Sequence, residues 1–180
     1  MKKLFLLTAI AGVFAFSGVK AQDPAMSGPK LGVGVEFGFP IGDFGDVSDF
    51  GVGGSLLYQH PIANKLNFTA NAGYLSFQGK DYQLGGVTID GGSIGVIPVK
   101  AGLRYFLAEN IFVNAEAGAV FGTEDGFGTR FAYSPGLGVE FPVADKSALE
   151  LSARYEGWTK GDGIVTPQTI GLRLAWNFGL

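Results

Sequence analysis

The chain has no cysteine, a single histidine in 180 residues, and only 16% charged residues. Without cysteine there is no disulfide, no thiolate metal ligand and no lipid-modified N-terminal cysteine. The one histidine, His60, precedes Pro61 in a stretch that reads as a tight turn. No His or Cys spacing suits a metal ion, and His60 reads as an exposed turn residue rather than a general base. Past the N-terminus no run of 18 apolar residues exists to make a spanning helix. Glycine-rich runs such as G-V-G-G and D-G-G-S are not followed by a helix, so they cradle no phosphate. The D-G-F-G and K-G-D-G segments lack the ordered spacing of a calcium loop. No cofactor is expected.

What is present is export chemistry and strand chemistry. Lys2 and Lys3 lead into the apolar run Leu4–Phe16, and Val19-Lys20-Ala21 supplies small residues for cleavage. This is the layout of a secretory leader. We expect residues 1–21 to be a cleaved signal peptide, 22–29 a short flexible lead, and 30–180 one folded domain. Removing Lys2, Lys3 and Lys20 leaves ten basic against sixteen acidic residues, a formal −6 that argues against nucleic acid. Thirty glycines without a collagen-like period, 16 phenylalanines and six tyrosines complete a strand-forming composition.

Alternation of apolar and small or polar residues marks eight strands. The clearest is the last, Thr169–Leu180, where Ile170, Leu172, Leu174, Trp176, Phe178 and Leu180 share one face. The others lie at about Leu31–Phe39, Phe50–His60, Leu66–Phe77, Ser93–Phe106, Ile111–Phe121, Arg130–Phe141 and Ala148–Trp158. Tight turns at 61–65, 107–110 and 142–147 alternate with longer loops at 40–49, 78–92, 122–129 and 159–167. In the fourth strand the apolar phase changes after Val96, beside Pro98. A one-residue slip predicts a β-bulge at Val96–Pro98. Pro135, in mid-strand, calls for a bulge or a missing ladder bond.

A period of two does not say which face is outside, because a soluble eight-stranded barrel shows it too. Four features point the apolar face outward. The polar face is mostly glycine, serine, threonine and asparagine, too poor in charge for a water-facing surface. Its charges are nearly balanced in sign. Aromatic residues on the apolar face gather near strand ends, as in interfacial girdles. The connections are short at one end and long at the other.

The leader, the eight strands, the turn and loop asymmetry and the closing A-W-N-F-G-L together resemble the small outer-membrane β-barrel family, which includes the OmpA transmembrane domain, OmpX and OmpW-like proteins. The resemblance spans Lys30–Leu180. It implies an all-β, eight-stranded antiparallel up-and-down transmembrane barrel integral to the cell outer membrane. It also implies lipid and lipopolysaccharide as surroundings and a terminal-strand signal, here Trp176, Phe178 and Leu180, for the barrel-assembly machinery. The family's last residue is usually aromatic; here it is Leu180, with Phe178 two places earlier on the same face.

Side chains fill the interior of an eight-stranded barrel. The inward charges Glu36, Lys100, Arg104, Glu116, Glu140, Glu150, Arg154, Glu156 and Arg173 must therefore pair, since an unpaired buried ion is very costly. Pairing across 107–110 sets Lys100 beside Glu116, so Glu116→Ala should strand Lys100. Arg173 falls near Ser152 and Arg154, and Glu36 is its candidate carboxylate where the first strand closes on the last. Two roles fit this network: a static plug, or a gate that opens by re-pairing. The loops carry Asp43, Asp46, Asp49, Asp81, Asp90, Glu124, Asp125 and Asp162, an acidic surface that divalent ions could bridge to lipopolysaccharide. The expected protein is a monomeric, non-catalytic barrel with a structural or cell-surface role. The alternatives are a narrow solute pore and, more remotely, a lipid-modifying enzyme at the rim.

Overall fold

The computed structural model describes residues 28–84, 86–124, 127–159 and 167–180. The proposed leader and most of the lead lie outside the described residues, as do Asp125 and Asp162. In chain order the elements are β1 (Lys30–Ile41), a one-turn helix α1 (Asp43–Val47), β2 (Ser48–Ala63) and β3 (Leu66–Gly79). A hairpin of β4 (Tyr82–Leu84) and β5 (Val87–Ile89) follows. The chain continues through β6 (Ser93–Phe106), β7 (Ile111–Gly122), β8 (Thr129–Ala144), β9 (Ser147–Trp158) and β10 (Gln168–Gly179).

Eight of these strands close into one antiparallel barrel in the order β1-β10-β9-β8-β7-β6-β3-β2. Closure is made by β1 and β10, whose ladder runs from Lys30 opposite Gly179 to Ile41 opposite Gln168 without interruption. A closed barrel leaves no unpaired edge and satisfies the backbone internally, which is what a bilayer demands of a strand protein.

Alternation becomes two chemically distinct faces. On β10, Thr169, Gly171, Arg173, Ala175 and Asn177 are buried, while Ile170, Leu172, Leu174, Trp176 and Phe178 are exposed. The same division holds on β1, where Val33, Val35 and Phe39 are outside and Lys30 and Glu36 are inside. An exposed belt of leucine, valine and phenylalanine around the whole circumference is far larger than the patches soluble monomers tolerate. Lipid is the solvent that fits it.

Three sequence expectations change. The bulge at Val96–Pro98 is absent. Ladder register is continuous from Val96 opposite Gly122 to Phe106 opposite Phe112, and Leu75–Val96 keeps the register of Ala72–Val99 on the other side. The ladder to β3 merely lacks pairs at Gly73 and Tyr74, beside Pro98. Ile94, Val96, Pro98 and Lys100 share the inward face, so the phase never slips; the interior changes from ionic to apolar. The loop 40–49 contains α1, and the loop 78–92 contains the β4–β5 hairpin, paired from Tyr82 opposite Ile89. Lastly, β2 runs on through Pro61 to Ala63, with a register shift there instead of an early turn. Pro135 sits in an unbroken ladder with β7, while the ladder to β9 skips Ser134 and Pro135.

Candidate functional site

The inward glycines make room for the inward charges. A Cβ on Gly34 would stand 2.9 Å from Arg173 Nε and 2.8 Å from the Ala175 Cβ. One on Gly171 would meet Arg154 at 3.1 Å, and one on Gly136 would meet the Arg154 Cβ at 3.0 Å. The long guanidinium stems therefore lie across positions that carry no side chain.

The charges join in one unbroken chain of alternating sign. Lys100 pairs with Glu156, and Glu156 accepts from Arg154 Nε at 3.2 Å. Arg154 Nη1 reaches Glu36 at 2.8 Å, and Glu36 faces Arg173 Nε at 3.3 Å. Arg173 Nη1 continues to Glu150 at 2.9 Å, which takes Arg104 Nη1 at 2.8 Å. Arg104 also faces Glu140 at 3.5 Å, and Glu140 pairs with Lys30 at the turn end of the barrel. All nine side chains are nearly or fully buried. Ser55 donates to Glu36, Ser134 to Glu156, and Asn177 to both Glu140 and Glu150. Glu150, fully buried, is the most heavily bonded acid: both terminal nitrogens of Arg104, one of Arg173, Asn177 and Ser152 converge on it. Charge-assisted bonds of this kind offset the desolvation that makes buried ions costly.

Eight of the nine charges singled out from sequence lie in this chain. Glu116 does not. It accepts from Asn71 Nδ2 at 3.4 Å and makes no ion pair among the described residues. The expected Lys100–Glu116 pair is therefore corrected: Lys100 lies opposite Gly118 in the ladder, and its ammonium crosses the lumen to Glu156 on β9. Ladder neighbours fix Cα positions, whereas Lys100 reaches a strand three places along the barrel. Arg173 lies opposite both Ser152 and Glu36, forms an ion pair with the latter, and donates from Nε to Ser55 Oγ. Lys30 escaped sequence reasoning because it borders the expected lead, yet it keeps the phase of Gly32, Gly34 and Glu36, and that signal would have found it.

The two ends of the lumen differ. At the turn end Arg104 lies 3.7 Å from the centre of the Phe112 ring, below the Lys30–Glu140 pair. At the loop end the filling is apolar: Leu75, Phe77, Val96, Val120, Ala132 and Trp158, capped by Phe44 of α1. The residual space beside the ion chain amounts to about 10 Å³, room for roughly one water. His60 is exposed near the turn end, stacked on Tyr58 with its Nδ1 3.1 Å from the hydroxyl. Trp176 and Phe178 face outward from β10, and the Leu180 N–H donates to the Pro29 carbonyl. Among the described residues no three acids or histidines gather as a metal set.

The family described as "Outer membrane protein beta-barrel domain" matches residues 5–178. The chain belongs to that family. Solved structures similar to this outer-membrane barrel bear out its fold. Neisserial surface protein A superposes with a TM-score of 0.64 at 14% identity, covering 86% of this chain and 98% of its own. Ail, the attachment invasion locus protein of Yersinia pestis, in complex with the heparin analogue sucrose octasulfate, superposes at 0.57 and 18%, covering 85% and 99%. OprG of Pseudomonas aeruginosa does so at 0.57 and 11%, covering 85% and 96%. No curated protein matches the sequence. The chain is thus an eight-stranded barrel integral to the outer membrane.

Proposed function

We propose that this outer-membrane barrel is a non-catalytic, monomeric surface protein whose interior is a rigid frame and whose loop end meets partners outside the cell. The observation that carries this reading is the filling of the lumen among the described residues: an ion chain through the middle, with space for about one water beside it, and an apolar plug at the loop end. Among the described residues that filling supports a closed interior over a solute path. Residues 1–21 would direct export and be removed, residues 22–29 would form the lead, and Trp176, Phe178 and Leu180 would present the terminal strand to the assembly machinery.

Charge constrains the partner. Ail is described with a polysulfated ligand, which calls for basic groups. Here the loop end offers Asp43, Asp46, Asp49, Asp81, Asp90 and Glu124, with Lys80 among them. A cationic partner, or lipopolysaccharide bridged by divalent ions, fits that surface better than a sulfated one. Single-channel recording in planar bilayers tests the reading. A silent membrane carrying folded protein supports it. Reproducible conductance steps would favour the narrow pore and make the ion chain a gate.

A further inference from the structure

At the loop end one residue group is unlike its surroundings. The ring of Phe44, carried by α1, lies 5.3 Å from that of Phe77 and 5.9 Å from that of Trp158, with Phe77 and Trp158 themselves 6.0 Å apart. Phe77 and Trp158 belong to barrel strands. Phe44 belongs to a five-residue helix that enters through Gly42 at φ +56° with no side-chain cap, and that contains a second glycine, Gly45. So short a helix has little stability of its own and depends on what it packs against.

Among the described residues, the Lys80 side chain ties α1 down from outside. Lys80, at the end of β3, donates from Nζ to the Gly45 carbonyl at 2.6 Å and faces the Asp49 carboxylate at 3.6 Å. Its backbone N–H also donates to the Val47 carbonyl. Unlike the ion chain below, this pair is solvent-exposed: the Lys80 side chain is 38% accessible and that of Asp49 is 62%. Exposed pairs exchange readily with competing ions and are worth little in isolation. Under the cork, the Trp158 indole N–H donates to Glu156 at 2.8 Å, so the apolar plug is joined to the first acid of the ion chain.

We propose that α1 is a releasable cork, with Phe44 sealing the loop-end mouth and Lys80 acting as a latch addressable from the cell exterior. Release swings α1 about Gly42, opens the Phe44 side of the cup floored by Phe77 and Trp158 while Phe127 stays 5.8 Å from the Trp158 ring, and frees Trp158 to shift against Glu156. A partner that occupies Asp49 or the Lys80 ammonium opens the cork without disturbing the barrel wall. This goes beyond the surface role proposed above and stands whether or not the lumen conducts.

The chain's two tryptophans make the test direct. In a Trp176→Phe background Trp158 is the only fluorophore of its kind, and acrylamide quenching of folded protein in nanodiscs reads its exposure. The parent should be strongly shielded. Phe44→Ala should raise the quenching constant severalfold and calibrates the open state. Lys80→Met should approach that value, Lys80→Arg should stay near the parent, and Asp49→Asn should fall between. Should Lys80→Met fail to fold, Asp49→Asn and Lys80→Arg decide the matter, since both alter only exposed groups. Quenching in the folded latch variants equal to the parent, with Phe44→Ala clearly higher, would overturn the latch. Quenching in Phe44→Ala equal to the parent would overturn the cork itself.

Discussion

At the scale of single residues, the interior acids are not equivalent. Glu150, fully buried, bonds two arginines and an asparagine. Glu150→Ala should cost about 3–5 kcal/mol, the usual consequence of stranding buried charge. Glu116 touches one amide, at 3.4 Å. Glu116→Ala should cost about 1 kcal/mol, the scale of a single long hydrogen bond. Urea midpoints of the two variants in the same lipid or detergent compare them. Equal shifts would mean that the ion chain does not carry the stability assigned to it. Most of these charges were legible in the sequence, because strict alternation put them on one face. Of the pairings only Arg173 with Glu36, neighbours in the closing ladder, was legible; Lys100 and Arg104 instead select carboxylates across the lumen, on strands they do not pair with.

At the scale of the element, each strand is defined by what its two faces may hold. The inward glycines of β1 leave space for Arg173, so Gly34→Val forces a branched side chain into a gap already occupied 2.9 Å away. We expect a loss of about 1–3 kcal/mol from overpacking, with poor refolding yield into detergent as the first symptom. The outward face obeys depth instead. Leu174 lies mid-strand on β10, opposite Val35 and Leu151. Leu174→Arg should cost roughly 2–4 kcal/mol, whereas Ile170→Arg, near the loop-end rim beside Phe39 and Tyr155, should cost about 0–1. Equal costs in lipid-based unfolding titrations would contradict the assignment of that face to acyl chains. The fourth barrel strand shows where pattern reasoning stops. Ile94 and Val96 resemble a slipped lipid-facing set, yet they point inward to a plug whose other members come from β3, β7, β8, β9 and α1.

At the scale of the whole molecule, the barrel is an inverted protein, apolar outside and ionic within. It should refold only in the presence of an amphiphile, and the folded form should migrate differently from the heated form on a cold gel. A folded monomer in plain buffer would invert the assignment of faces. The ion chain runs from Lys30 at the turn end to Lys100 near the apolar plug, so the frame spans most of the lumen. Mechanical closure therefore has two parts, an electrostatic one deep inside and an aromatic one at the mouth.

By itself the sequence determined the number of barrel strands, the short and long ends and the division of faces. Those follow from a period of two, which is local and needs no partner to be read. The tertiary structure alone decided the order of ion pairing, the absence of the bulge, the apolar filling at the loop end and the seating of α1. Each of these depends on which residues meet across a closed cylinder, and closure brings together positions more than a hundred residues apart, such as Lys30 and Glu140.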